Sequence, residues 1–150
     1  MEPKTSVIIG SDHAAFELKE KIGKHLGRLG VDVKDSGTYS DASVSYVEFG
    51  KKVAKAVADK EYDRGILLCG TGIGMSMVAN RFAGVRAALC SDLFSARLSR
   101  KHNNANVLVL GARVIGDMLA YEIVREWLET EFEGGRHSDR LDSIDAEFTD

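Results

Sequence analysis

The sequence predicts an α/β fold: a three-layer, doubly wound, Rossmann-like arrangement in which a five-stranded parallel sheet carries helices on both faces. Three observations predict it. Short β-rich runs alternate with amphipathic helical patterns along the chain, and no hairpin turn joins any two of the runs. The run Val107-Leu108-Val109-Leu110-Gly111 is apolar throughout, as strands buried on both faces are. A length of 150 residues suits one domain, spanning 1–150, that buries about two-thirds of its unfolded surface.

Ser6-Val7-Ile8-Ile9-Gly10 is the first strand, and Phe16, Leu18, Ile22, Leu26 and Leu29 recur behind it at helical spacing. Gly30 stops that helix, and Val31-Asp32-Val33-Lys34 is a second strand. Asp12 and His13 fall where the first strand hands over to its helix, the place where open α/β sheets collect ligand groups. A plain helix N-cap is the competing role for Asp12, and a solvated loop position the competing one for His13. Ser45 and Glu48 have capping-box spacing ahead of Phe49, Val53 and Val57, so a helix starts there with Tyr46 at its head.

Ile66-Leu67-Leu68-Cys69-Gly70-Thr71-Gly72-Ile73-Gly74-Met75-Ser76 reads as a buried strand that ends on a thiol, turns through three glycines and enters a helix running from Ile73 to Phe82. Alternate glycines permit left-handed backbone and let amide N–H groups converge, which suits an anion or an oxyanion. A thiol at that strand end faces the positive end of the next helix, which favours a thiolate base or nucleophile. The bland alternative is a tight turn with an inert buried cysteine. A P-loop needs Lys then Ser or Thr after its last glycine, and Met75 and Ser76 stand there. Both possible dinucleotide frames meet a methionine at the third glycine, at Met75 or Met77. A low-molecular-weight tyrosine phosphatase loop requires arginine where Met75 stands.

Val85 to Cys90 is the fourth strand, Ser91 or Asp92 caps a helix running to about Lys101, and Val107 to Gly111 is the fifth strand. Gly116 or Asp117 opens the longest helix, with Leu119, Ala120, Ile123, Val124, Trp127 and Leu128 on a face broad enough to include a dimer contact. Glu133-Gly134-Gly135 breaks it, and a last helix carries Leu141, Ile144 and Phe148. Arg136 and Arg140 lie one turn apart on that helix, suited to a phosphate, with surface ion pairs as the alternative.

A net charge of −3 without a basic stripe argues against nucleic acid or an anionic membrane as partner. No apolar run spans a membrane, and Met1-Glu2-Pro3-Lys4 opens no secretory segment, so a cytoplasmic enzyme with reduced Cys69 and Cys90 is expected. The four histidines and two cysteines show no metal-ligand spacing, so no metal is expected. A thiolate, an amide nest, histidines and arginines together fit proton transfer on a small phosphorylated substrate through an enediolate.

The segments Gly10-Ser11-Asp12-His13, Cys69-Gly70-Thr71-Gly72-Ile73-Gly74, Ala79-Asn80-Arg81, Ser99-Arg100-Lys101-His102-Asn103, Gly111-Ala112-Arg113-Val114-Ile115-Gly116 and Glu133-Gly134-Gly135-Arg136-His137 closely resemble ribose-5-phosphate isomerase type B. That family also holds galactose-6-phosphate isomerase subunits and allose-6-phosphate isomerases. The resemblance implies a cofactor-free aldose-ketose isomerase of the pentose phosphate pathway with Cys69 as proton acceptor. Gly70, Thr71, Gly72, Ile73 and Gly74 would form the oxyanion loop, with Thr71 among the catalytic residues. His102 would open the sugar ring, with Asn103 on the hydroxyls. Asp12, His13 and Tyr46 would line the sugar, and Arg113, Arg136 and Arg140 would bind substrate, chiefly its phosphate. A branch of the family with a glutamate base has it where this chain has Met75. The resemblance also implies a homodimer or dimer of dimers with shared sites, so that the helix within 134–150 reaches the partner subunit.

Where the family reads Asp-Tyr-Pro, this chain reads Ser45-Tyr46-Val47, and the segment Thr38 to Ser43 is atypical. Ribose 5-phosphate and ribulose 5-phosphate are the expected pair. A six-carbon sugar phosphate (allose or galactose 6-phosphate) is the rival substrate, and a non-catalytic sugar-phosphate-binding module the rival class.

Overall fold

The computed structural model describes residues 5–148; the N-terminal segment read above and the side chain of Phe148 lie outside the described residues. Strands β1 (Ser6–Ser11), β2 (Asp32–Asp35), β3 (Arg64–Cys69), β4 (Ala87–Leu89) and β5 (Val107–Gly111) form one sheet in the order β2-β1-β3-β5-β4. Every pairing is parallel. Helices α1 (Phe16–Arg28), α2 (Tyr46–Ala58), α3 (Ile73–Ala79), α4 (Leu93–Lys101), α5 (Asp117–Glu129) and α6 (Arg136–Phe148) complete the chain. The expected fold class is the observed one.

Alternation along the strands builds two cores. Ile66 and Leu68 of β3 face one way with Leu108 and Leu110 of β5, into a cluster closed by Ile22, Leu26, Ile123 and Trp127 from α1 and α5. Leu67 and Cys69 face the other way with Val107 and Val109, against Val53 and Val57 of α2 and Met75 of α3. Cys69 therefore belongs to the α2/α3 side. Because β1 pairs with β2 on one side and β3 on the other, the direction in which strands are added to the sheet reverses at β1, and the carboxyl ends of β1 and β3 flank a crevice.

Local chemistry sets most boundaries. Ser45 caps α2 by accepting from the Val47 N–H at 3.2 Å, while Glu48 turns to Lys52, so the capping box forms only one of its two bonds. Asp92 caps α4 through the Ser95 N–H at 2.7 Å. Helix α3 ends at Ala79, short of Phe82, because Asn80 leaves the helix to bond both the N–H and the carbonyl of Ala87 at 2.8 and 3.0 Å. A 3-10 turn over His13–Ala15 precedes α1, and α5 stops at Glu129, where Thr130 is extended and its hydroxyl caps the Glu126 carbonyl.

Lys19 carries a charge that the sequence reading passed over. Its side chain is 0% exposed, and its ammonium sits 2.6 Å from Asp35 and 2.8 Å from Glu20. The other oxygen of Asp35 accepts from the Gly37 N–H at 2.9 Å, and the Tyr39 hydroxyl donates to the Asp35 carbonyl. Gly37 and Thr38 in turn bond Ser11 through backbone. The pair thus fixes the loop after β2 against the end of β1. Removing Asp35 leaves a buried ammonium with Glu20 as its one carboxylate, whereas removing Lys19 leaves a carboxylate that water already reaches, since Asp35 is 40% exposed. Asp35→Asn should therefore lower stability by about 2 kcal/mol and Lys19→Met by about 1 kcal/mol or less, read from denaturant midpoints. The reverse order would contradict this account.

Candidate active site

The loop after β3 is shaped by what its glycines leave out. Gly72 has φ +83°, a left-handed conformation that costs a side-chain-bearing residue about 1–2 kcal/mol, and a Cβ there would lie 2.4 Å from Leu89. At Gly111 a Cβ would lie 2.5 Å from the Thr71 carbonyl oxygen, so the end of β5 admits the loop only because it has no side chain. Gly74 faces the Tyr46 ring, which would be 2.6 Å from a Cβ. Tyr46 is thus packed on the loop at the head of α2.

Cys69 is 5% exposed, and its sulfur accepts from the Gly72 N–H at 3.2 Å. The Ile73 N–H bonds the Thr71 hydroxyl at 3.2 Å, and Ser76 is the first residue to bond back along the helix, to Gly72. The amides of Gly74 and Met75 lie between and have no helical acceptor. Met75 is fully buried against Gly50 of α2, so no acid or base stands at that position. Cys90, the other thiol, is pushed up to about 11 by burial and stays protonated.

Asp12 is 7% exposed, makes no cap bond, and its Oδ1 has no partner among the described residues. The N-cap role is therefore not taken. An uncompensated buried acceptor at a strand end is what a ligand hydroxyl would satisfy. His13 Nδ1 lies 3.1 Å from the Val44 nitrogen and 3.2 Å from the Val44 carbonyl oxygen, so the backbone of Val44 holds the ring in place. Ser45 and Val47 act as cap and first turn of α2, and the lost acid and proline are replaced by equivalent helix-start chemistry. Arg113 donates its N–H to the Gly70 carbonyl at 2.9 Å, and its guanidinium lies over Gly70.

All of these lie at the carboxyl edge of the sheet. His102, Asn103, Arg136 and Arg140 do not. His102 ends α4, and the turn behind it joins the starts of the strands: Asn106 bonds Arg86, and Gly65 bonds Asn106. Register puts Cys69 level with Gly111 at the far end of β5. At about 3.3 Å per residue, the strand alone separates the two edges by roughly 13 Å. Glu133 donates to the Lys101 carbonyl at 3.1 Å and brings α6 to this edge, where His137 stacks on His102 with centroids 4.2 Å apart. Among the described residues neither Arg113, Arg136 nor Arg140 forms a side-chain hydrogen bond or ion pair, so the surface-pairing alternative for the two α6 arginines is not what the fold builds.

The fold brings together one grouping of ligand-type residues that their spacing in the sequence does not show. Ligand atoms of His102, Glu133 and His137 all lie within 4.8 Å of one another. Spacing could not reveal this, since His102 reaches the other two only through the α4 end. The two rings are nearly parallel, at 13°, so their nitrogens point side by side and a shared ion would require one ring to turn.

The family described as Ribose/Galactose Isomerase matches residues 7–144. Ribose-5-phosphate isomerase B of Escherichia coli is 50% identical over 140 residues, covering 93% of this chain and 94% of that protein. D-erythrulose-4-phosphate isomerase of Pectobacterium atrosepticum is 47% identical over 140 residues, covering 93% and 92%. The solved ribose-5-phosphate isomerase B of Clostridium thermocellum superposes with a TM-score of 0.94 at 49% identity, covering 95% of this chain and 97% of that one.

Two predictions follow from the geometry. Gly111→Ala forces the Thr71 carbonyl away and should cost turnover at least tenfold, whereas Gly74→Ala displaces only the tip of Tyr46 and should act mainly on KM; steady-state kinetics on folded variants separates them. His137 is held below its ordinary value of 6.5 by desolvation first, then by His102 and Arg136, with Glu133 opposing. The unfolded chain therefore binds more protons between the lowered and ordinary values, so stability is lost as pH falls through that window. His137→Gln should flatten the stability profile below about pH 6.5 relative to the parent, measured by denaturation at stepped pH.

Proposed function

The chain belongs to the ribose/galactose isomerase family, and from that premise we propose that it interconverts ribose 5-phosphate and ribulose 5-phosphate with Cys69 as the base. The thiolate removes the C2 proton of the open-chain aldose, giving an enediolate, and returns it to C1 as the hydroxyl proton passes from O2 to O1. Within the loop from Gly70 to Gly74 the Gly72 and Ile73 amides are taken by Cys69 and Thr71, and the free amide of Gly74, with that of Met75 beside it, holds the developing oxyanion, a preorganised effect of a few kcal/mol per donor. Asp12, His13 and Tyr46 orient the sugar, Arg113 meets its phosphate end, and Thr71 fixes the loop through the Ile73 amide.

One observation carries the assembly of the site: Cys69 and His102 stand at opposite edges of the sheet of one chain. A base and a ring-opening acid must both reach the same small sugar. Two copies of the chain arranged as a homodimer supply this, each lending His102, Asn103, Arg136 and Arg140 to the other's Cys69 loop. The unpaired arginines of α6 then have a phosphate to bind. A cytoplasmic location fits this metabolic role and the lack, among the described residues, of any helix long and apolar enough to cross a membrane. No cofactor enters the scheme.

The tetrose-phosphate isomerase among the relatives supports a second substrate class, so the first assay is a panel of ribose 5-phosphate, allose 6-phosphate and erythrulose 4-phosphate. Turnover of the pentose above the others is expected; preference for the hexose or tetrose reassigns the substrate. Cys69→Ala should bind sugar phosphate and turn over none of it. Mixing Cys69→Ala with His102→Gln chains, each inactive alone, should restore about a quarter of parental activity, since half of the random dimers hold one intact site. No recovery in chains shown to exchange would place both groups in one subunit and sink the shared site.

A further inference from the structure

The mechanism leaves one concentration of charge unused. At the amino edge of the sheet, Lys60, Arg64, Arg86 and Arg100 line a single cavity of about 500 Å³ with Asn104, Asn106 and one carboxylate, Asp63. The hydrogen bonds that these guanidiniums make run to neutral acceptors. Arg64 donates to the Trp127 and Leu128 carbonyls at 3.1 and 3.2 Å. Arg100 donates to the carbonyls of Thr130 and Ala105 and to the Asn104 amide oxygen, and Arg86 donates to the Asn104 carbonyl. Negative charge nearby is thin. Asp63 accepts from the Ser6 N–H and hydroxyl, and Asp145 stands 3.9 Å from Arg86.

Carbonyls orient an arginine but cannot neutralise it, and three guanidiniums around one hollow, two half-buried and one buried, repel each other more strongly than they would in water. The strain is visible in Arg100, 6% exposed, which burial and then the charges of Arg64 and Arg86 pull down to about 10. The fork geometry of each guanidinium leaves donors beyond those used on carbonyls, and together they suit the several oxygens of a phosphoryl group. None of Arg113, Arg136 and Arg140 lines this hollow, so it is separate from the proposed substrate phosphate position.

We infer that this cavity is a second anion site, one that takes the phosphoryl group of a compact polyanion, either inorganic pyrophosphate or a small phosphate ester. Its wall is the turn through Asn104, which follows directly on His102 and Asn103. An occupant clamped between Arg86, Arg100 and Asn104 therefore also braces the segment that carries His102.

Isothermal titration of pyrophosphate, and separately of glycerol 3-phosphate, into the full chain tests the inference without any assay of turnover. The background carries Arg113→Gln, Arg136→Gln and Arg140→Gln, so that the substrate phosphate position is disabled, and the result is independent of the isomerase reading. Binding of one or both anions is expected in this background, and the tighter of the two identifies the source. Adding Lys60→Glu or Arg64→Gln should weaken it at least tenfold. Lys60 is exposed, so its variant tests the site even if loss of Arg64 impairs folding. No binding in the background, or binding unmoved by Lys60→Glu, overturns the proposal.

Discussion

The fit between the end of β5 and the loop after β3 is the constraint from which the rest of the molecule can be derived. Parallel register brings Cys69 level with Gly111, and the Thr71 carbonyl occupies the space where any other residue at 111 would place its Cβ. With that contact made, Gly72 can turn left-handed, its N–H can meet the Cys69 sulfur, and α3 can begin with two amides free. A slip of one residue between β3 and β5 would send Cys69 to the α1/α5 side of the sheet, away from the loop. The continuous apolar sequence of both strands, buried on both faces, gives the register little help from polarity. The glycines and the ladder must set it.

The carboxyl edge gathers only part of the chemistry that the sequence assigns to one site. It offers a thiol, amide donors, an unsatisfied carboxylate oxygen on Asp12 and a histidine held by the Val44 backbone, and it offers Arg113 as a cation. The remaining cations and the stacked histidines are displayed at the other end of the same sheet, held there by the bond from Glu133 to Lys101. Neither end is a complete site for a phosphorylated sugar.

Much of this was legible in the sequence, for identifiable reasons. Apolar runs located β1, β3 and β5, and period-3.6 patterns the longer helices, because the burial behind those patterns is nearly complete there, whereas β2 and β4 are more exposed and their bounds differ from those expected. The α3 boundary was missed by three residues because Asn80 was read as helix interior, and its two bonds to Ala87 become possible only once β4 is in place. Asp12 could be read as a cap or as a ligand group, since only the fold reveals that its oxygen finds no donor. The grouping of His102 with Glu133 and His137 had no sequence signal, as it is made by a backbone bond between distant turns. Motif resemblance assigned His102 and Cys69 to one reaction; their separation by the length of a strand is information that only topology carries.

Buried cations divide into two kinds in this molecule, and the difference bears on what each is for. Lys19 is compensated in full, by two carboxylates, and its consequence is mechanical: the loop after β2 is tied to the end of β1, and through Val44 to His13. Arg64 and Arg100 are oriented by carbonyls and left charged. Folding alone would be served as well by neutral donors at those two positions, because capping the end of α5 and closing the turn at Asn104 require hydrogen bonds, not charge. Holding charge in a hollow without its counterion carries a desolvation cost that grows with each added guanidinium, whereas an anion that enters recovers that cost as affinity. The distribution of carboxylates, close around Lys19 and sparse around the arginines, is therefore what separates a structural cation from one kept for a ligand.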